Sequence, residues 1–124
     1  MKQILAIAVG GSLGALLRYG VANGVHAVLG RGFPYGTLVV NVSGCLAMGV
    51  LYVLLVERLA LSPEWRAALL IGVLGAFTTF SSFSMETFAL FEEGERMKAL
   101  MNVVLSVSLC LAAVWLGVLA GRRL

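Results

Sequence analysis

Four apolar runs, each long enough to cross a bilayer and separated by short polar breaks, decide most of what this chain can become. The hydrocarbon core of a membrane is ~30 Å thick and takes about 20 helical residues to span. The runs fall at about residues 4–29, 36–56, 67–91 and 99–120. The first is interrupted by Arg18, the third carries Glu86 late, and the fourth holds no charge at all. Gly30-Arg31-Gly32-Phe33-Pro34 has the composition of a turn. Leu61-Ser62-Pro63-Glu64 closes the second break, with Ser62 placed as a helix N-cap and Pro63 at the first helical position. Glu92-Glu93-Gly94-Glu95-Arg96 forms the third. No linker is long enough for a second domain. The expectation is an all-α membrane protein, residues 1–124 forming a single domain of four transmembrane helices.

Composition closes off the alternatives. Of 124 residues, 60% are hydrophobic and 12% charged, against about 45–50% and about 25% in soluble domains. A chain this small keeps much of its sequence at its surface. With a mean hydropathy of +1.01 it fits neither a soluble enzyme nor a disordered tail. The net charge of +3 comes with nine basic residues scattered at the ends of apolar runs, so there is no stripe for a nucleic acid. Met1-Lys2 followed by apolar sequence resembles a signal peptide, but the run continues past Gly20 without a small-x-small cleavage site. It is expected to stay attached as the first of several membrane spans, in a multi-pass protein of the cell (inner) membrane. Cys45 and Cys110 sit inside apolar runs without metal-type spacing and read as reduced, buried side chains.

Lysine and arginine near span ends set orientation. One side would carry Lys2, Arg58, Arg66, Arg122 and Arg123, the other Arg31, Arg96 and Lys98. Five against three is a weak instruction, so either orientation is open to the chain. A four-helix unit of this size also has little interior, and a pathway through it would draw on a second copy.

Small residues four apart, Gly10 and Gly14, Gly72 and Ala76, Gly117 and Gly121, let helix backbones approach closely in lipid. Polar residues inside the spans are costly and each needs a reason. Arg18 cannot deprotonate. It either snorkels to an interface or stands as a fixed positive charge that draws anions to a vestibule. His26 reads as an interfacial residue. Asn41 is either helix–helix glue or a source of two N–H donors for an anion. The third run is the most informative. Gly72 to Glu86 mixes glycines with hydroxyl and β-branched residues, which weakens a helix. Unwound backbone in a membrane is tolerated only when it is buried in protein or lines a cavity, where its carbonyls suit cations and its N–H groups suit anions. Phe77, Phe80 and Phe83 recur every three residues on one helical face, interleaved with Thr79, Ser82 and Ser84. Ring edges carry partial positive charge. Beside neutral hydroxyl donors they describe a path for a small anion that sheds its water without being trapped. Ser106 and Ser108 either join such a path or bond back to their own helix. Glu86 is a proton site, a holder of a hydroxyl, or an interfacial acid.

These residues fall into three motifs: Gly10-Gly11-x-x-Gly14-Ala15-x-x-Arg18-Tyr19, then Gly36-Thr37-Leu38-x-Val40-Asn41-x-x-Gly44, then Thr78-Thr79-Phe80-Ser81-Ser82-Phe83-Ser84-x-Glu86. Together they resemble the CrcB/Fluc fluoride channels, in order and over the whole chain. The resemblance implies an antiparallel, dual-topology homodimer with two fluoride pores and a third helix broken mid-membrane. It implies that Phe80 and Phe83 line the pores with ring edges, that Asn41 donates to fluoride, and that Arg18 is the vestibule arginine. Thr37, Ser81, Ser82 and Glu86 would form a polar track, with Ser106 the contribution of the fourth helix. The backbone carbonyls of Gly75 and Thr78 from both subunits would hold a structural sodium ion. In this chain Ala76 stands where members often have Gly, Ser82 where Thr is common, Asn102 about where some carry Tyr, and Cys110 where some carry Ser. The function expected is passive, selective fluoride export. The rivals are a proton-coupled four-helix transporter using Glu86, the only candidate for a titratable membrane carboxylate, and an assembly protein that moves no ion. An enzyme is not expected, because His26 lies in a different run from every serine stripe.

Overall fold

A computed structural model describes all 124 residues, and every regular element in it is a helix. Helix α1 spans Lys2–Leu29. Helix α2 starts at Tyr35, keeps α geometry to Tyr52, and winds more widely, as a π-type helix, over Val53–Arg58. The third span begins as α3, residues 63–77. It opens with an α-helical turn, Pro63–Arg66, widens to π winding over Ala67–Leu74, and tightens again at Gly75–Phe77. Helix α4 is Phe80–Glu92 and helix α5 is Arg96–Arg123. The four long apolar stretches of the sequence thus lie in helical spans of 28, 24, 30 and 28 residues, the third interrupted at Thr78 and Thr79. At 1.5 Å per residue even the shortest reaches about 36 Å, enough to cross a bilayer. Each extends a few residues beyond the apolar run, because flanking polar residues still have helical propensity once a helix is nucleated. Pro63 occupies the first helical position as expected. Ser62 sits at the N-cap but makes no capping hydrogen bond through its side chain.

Only 23 of 124 residues are buried within the chain. The leucines, valines and isoleucines of α1 and α5 point outward instead, and such a surface is stable only in an apolar solvent. What holds the helices together is close backbone approach. Helix α1 lies against α3 with Gly10 and Gly14 facing the backbone of Ala68 and Val73. A methyl added at Gly72 would come 3.0 Å from the Gly10 Cα. Helices α2 and α5 run side by side through a second seam. Gly49 faces the backbone of Val114 and Gly117, and Gly117 faces Leu46. All three small-residue pairs read from the sequence therefore lie in helix–helix contacts.

Candidate functional site

The third span carries the chemistry. Helical geometry stops at Phe77. Thr78 (φ −82°, ψ 155°) and Thr79 (φ −151°, ψ 115°) are extended, and α4 starts afresh at Phe80. The local sequence explains the restart. Thr79 is a good N-cap residue, and its Oγ1 accepts the Ser82 N–H at 3.2 Å. A neighbouring helix explains why the extended pair persists. The Thr79 N–H donates to Asn41 Oδ1 at 2.7 Å, while Asn41 Nδ2 donates to the Thr79 carbonyl at 2.9 Å. Asn41 thus clips both backbone groups of one residue, which also fixes which end of its amide is oxygen. In an uninterrupted helix the Thr79 N–H would close on the Gly75 carbonyl and the Ser82 N–H on the Thr78 carbonyl. Both donors go elsewhere here, so these two carbonyls are released from their helical partners.

Phe80 and Phe83 stand one turn apart on α4 with ring centroids 5.3 Å apart and a tilt of 48°. Phe83 is buried, whereas Phe80 is 76% exposed on the single chain. Both line a cavity of about 320 Å³ together with Asn41, Thr78, Thr79 and Ser106. An amide nitrogen carries two hydrogens. Asn41 uses one on Thr79, which leaves a second donor. Phe77 does not share this face as its spacing predicted. The break at Thr78 and Thr79 separates it from the helical register of the other two, and its ring sits near Gly44.

Four more of the expected residues, Arg18, Thr37, Ser82 and Glu86, gather around a second cavity of about 220 Å³ that Thr79 also borders. Thr37 Oγ1 donates to Glu86 Oε1 at 2.7 Å, and Glu86 Oε2 is buried without a partner. Arg18 thus borders a polar cavity lined by a carboxylate. Glu86, His26 and Arg31 also border an outer hollow that ends at Glu95 and Lys98. The His26 ring pairs with the Gly30 carbonyl at 3.2 Å, at the end of its own helix. Ser81 is exposed and near only the Thr79 hydroxyl, at 3.3 Å. Gly75 is exposed and Thr78 half-buried.

Ser106 is buried and donates to Asn102 Oδ1 at 3.4 Å. Asn102, 2% exposed, donates to Thr87 Oγ1 at 2.8 Å, and Thr87 donates to the Phe83 carbonyl at 2.7 Å. This relay ties α5 to the helix that carries the rings. Sequence reasoning gave Thr87 no role and Asn102 none in this relay. A buried-span Asn was the available signal, but its partner on another helix was not visible. Ser108 is exposed and Ser84 bonds back to Phe80, so neither enters a cavity wall.

Four apolar helices, with two open cavities that meet at a pinned, unwound residue, define a multi-pass membrane protein. The family described as CrcB-like protein, Camphor Resistance (CrcB) matches residues 5–118, and the chain belongs to it. Among its relatives, the fluoride-specific ion channel FluC of Methylococcus capsulatus is 60% identical over 98% of this chain, although the chain spans only 54% of that protein's length. The protein of the same name from Coxiella burnetii is 52% identical over 98% of this chain and 99% of its own length. That of Geobacter sulfurreducens is 50% identical over both chains in full.

Proposed function

We propose that this chain is a fluoride-specific channel that lets the anion leave the cell passively. The observation that carries the reading is the Asn41–Thr79 clip, which leaves a spare amide N–H beside two phenyl rings in a cavity wall. These groups suit a small halide that must lose its water. Its relatives' names supply the ion. In this reading Phe80 and Phe83 present ring edges to fluoride and Asn41 donates to it. Arg18 attracts it at the vestibule. Thr37, Ser81, Ser82, Glu86 and Ser106 line the rest of its track. The membrane potential supplies roughly 2.3 kcal/mol per charge per 100 mV, which drives an anion out of a negative interior without a coupled proton.

The working unit is an antiparallel, dual-topology homodimer whose third helix is broken mid-membrane in each subunit. The near-balanced charge at the two ends supports it. So does Phe80, which a pore-lining role requires a second copy to cover. The carbonyls of Gly75 and Thr78 fit a structural sodium ion. They have lost their helical donors, and two from each subunit give four neutral oxygens, the ligand type that unwound membrane backbone offers such a cation. When bound, the ion would cross-link the two breaks electrostatically.

The test is fluoride and chloride efflux from liposomes that contain only this protein, with and without a proton gradient. Fluoride efflux independent of that gradient and far faster than chloride efflux is expected. Efflux that requires the gradient would replace the channel by a proton-coupled transporter. Replacing Phe80 and Phe83 together by Ile should greatly lower fluoride flux in a protein that still assembles. Undiminished flux would remove the rings from the account.

A further inference from the structure

We propose that Cys45 and Cys110 together form a two-thiol site for a soft, linearly coordinated metal ion, mercury(II) in the first instance, in the wall of the cavity that holds Phe80 and Phe83. The register of α2 against α5 places them. Gly49 packs on the backbone of Val114 and Gly117, and one turn further along Val50 and Val53 meet Gly121, so the two helices run in the same direction with no room between them. Cys45 lies one turn before Gly49, and Cys110 one turn before Val114. Stepping back equally along both helices brings the cysteines side by side. Both thiols are free. Both border the 320 Å³ cavity.

The donor set selects the metal. No group of three or more His, Cys, Asp or Glu side chains is gathered anywhere in the chain, so a tetrahedral zinc site lacks its ligands. Two sulfurs alone suit soft ions that accept two ligands in line. Charge narrows the choice further. Each thiol loses its proton to water and the ion sheds two chloride or water ligands to solvent, so two S–H and two metal–ligand bonds break as two metal–sulfur bonds form, with no change of oxidation state. Mercury(II) then leaves a neutral bis-thiolate. A monovalent soft ion leaves a net negative charge, which an apolar cavity disfavours. Because the site borders the cavity assigned above to fluoride, this step rests on the channel reading, and an occupied site obstructs the path.

The experiment titrates the purified full chain and its Cys45→Ala and Cys110→Ala variants with mercury(II) chloride. It counts free thiols and bound metal, and records fluoride efflux from liposomes before and after. The chain has only two cysteines, so the count is unambiguous. One ion per chain that consumes both thiols is expected, held about a hundredfold more tightly than by either variant, as chelation by two tethered ligands requires. Denaturing electrophoresis without reductant should show the single-chain mass. Wild-type efflux should fall on binding, measured against its own metal-free rate, and the variants should recover readily on addition of a monothiol. Two ions per chain, equal affinity in the variants, or a metal-linked pair of chains would overturn the site. Full efflux with one ion bound would overturn its place in the path. Liposomes that carry no fluoride before metal is added would instead count against the channel reading, while the stoichiometry would still judge the site.

Discussion

Asn41 is the residue on which the rest of the site depends, because one side chain satisfies both backbone groups of Thr79. Interhelical hydrogen bonds in membranes average about 0.6 kcal/mol each, so Asn41→Ala should cost about 1 kcal/mol and lower fluoride flux. Asn41→Asp is more telling. Its carboxylate still accepts the Thr79 N–H, yet the Thr79 carbonyl loses its donor and a negative charge enters an anion path. Flux should fall further in Asn41→Asp than in Asn41→Ala, measured per folded protein in liposomes. An aspartate variant that conducts like the parent would show that the amide's donors do not matter. Ala60 offers a prediction remote from the site. It is the only non-glycine residue with positive φ, at 46°. A left-handed residue costs roughly 1–2 kcal/mol when it has a Cβ. Ala60→Gly should therefore stabilise the protein by about 0.5–1 kcal/mol once the added freedom of the unfolded chain is subtracted. A raised melting temperature in detergent, with unchanged flux, is the expected result.

At the scale of elements, the sequence was legible where the physics is local and opaque where it is not. Apolar runs announce helices because a membrane leaves the backbone few other ways to satisfy itself. Proline at position 63 and the hydroxyl-rich stretch from Thr78 onward marked a helix start and a weak point on local propensity alone. The clip was hidden, since Asn41 and Thr79 are 38 residues apart. So was the relay from Asn102 to Thr87, which crosses between helices. Phe77 was misplaced because periodicity assumes a continuous helix. The wide turns at Val53–Arg58 and Ala67–Leu74 left no mark in residue type. Thr79 tests the restart of α4 directly. Thr79→Val removes the oxygen that accepts the Ser82 N–H and should cost about 1 kcal/mol. Thr79→Ser should restore nearly all of it. Equal losses in the two variants, followed by chemical denaturation, would mean that the cap contributes little.

For the whole molecule, cohesion comes from glycine seams more than from a large core. Any Cβ at Gly49 meets the backbone of α5, which has no side chain to move aside. Gly49→Ala should destabilise the fold by about 1–3 kcal/mol, the range for overpacked contacts. Gly32→Ala, where an added methyl meets nothing, should be neutral. Thermal unfolding of the two variants side by side would decide, and equal stability would mean that the seam is looser than its geometry.

That seam also bears on how the protein is made. The partner of α2 is made well after it, as the fourth span, Arg96–Arg123. Until that span emerges, the nascent second span keeps a bare glycine groove facing lipid. Final docking then waits for the fourth span, and a message cut short before it leaves three spans with no mate for that groove, a natural mark for quality-control proteolysis.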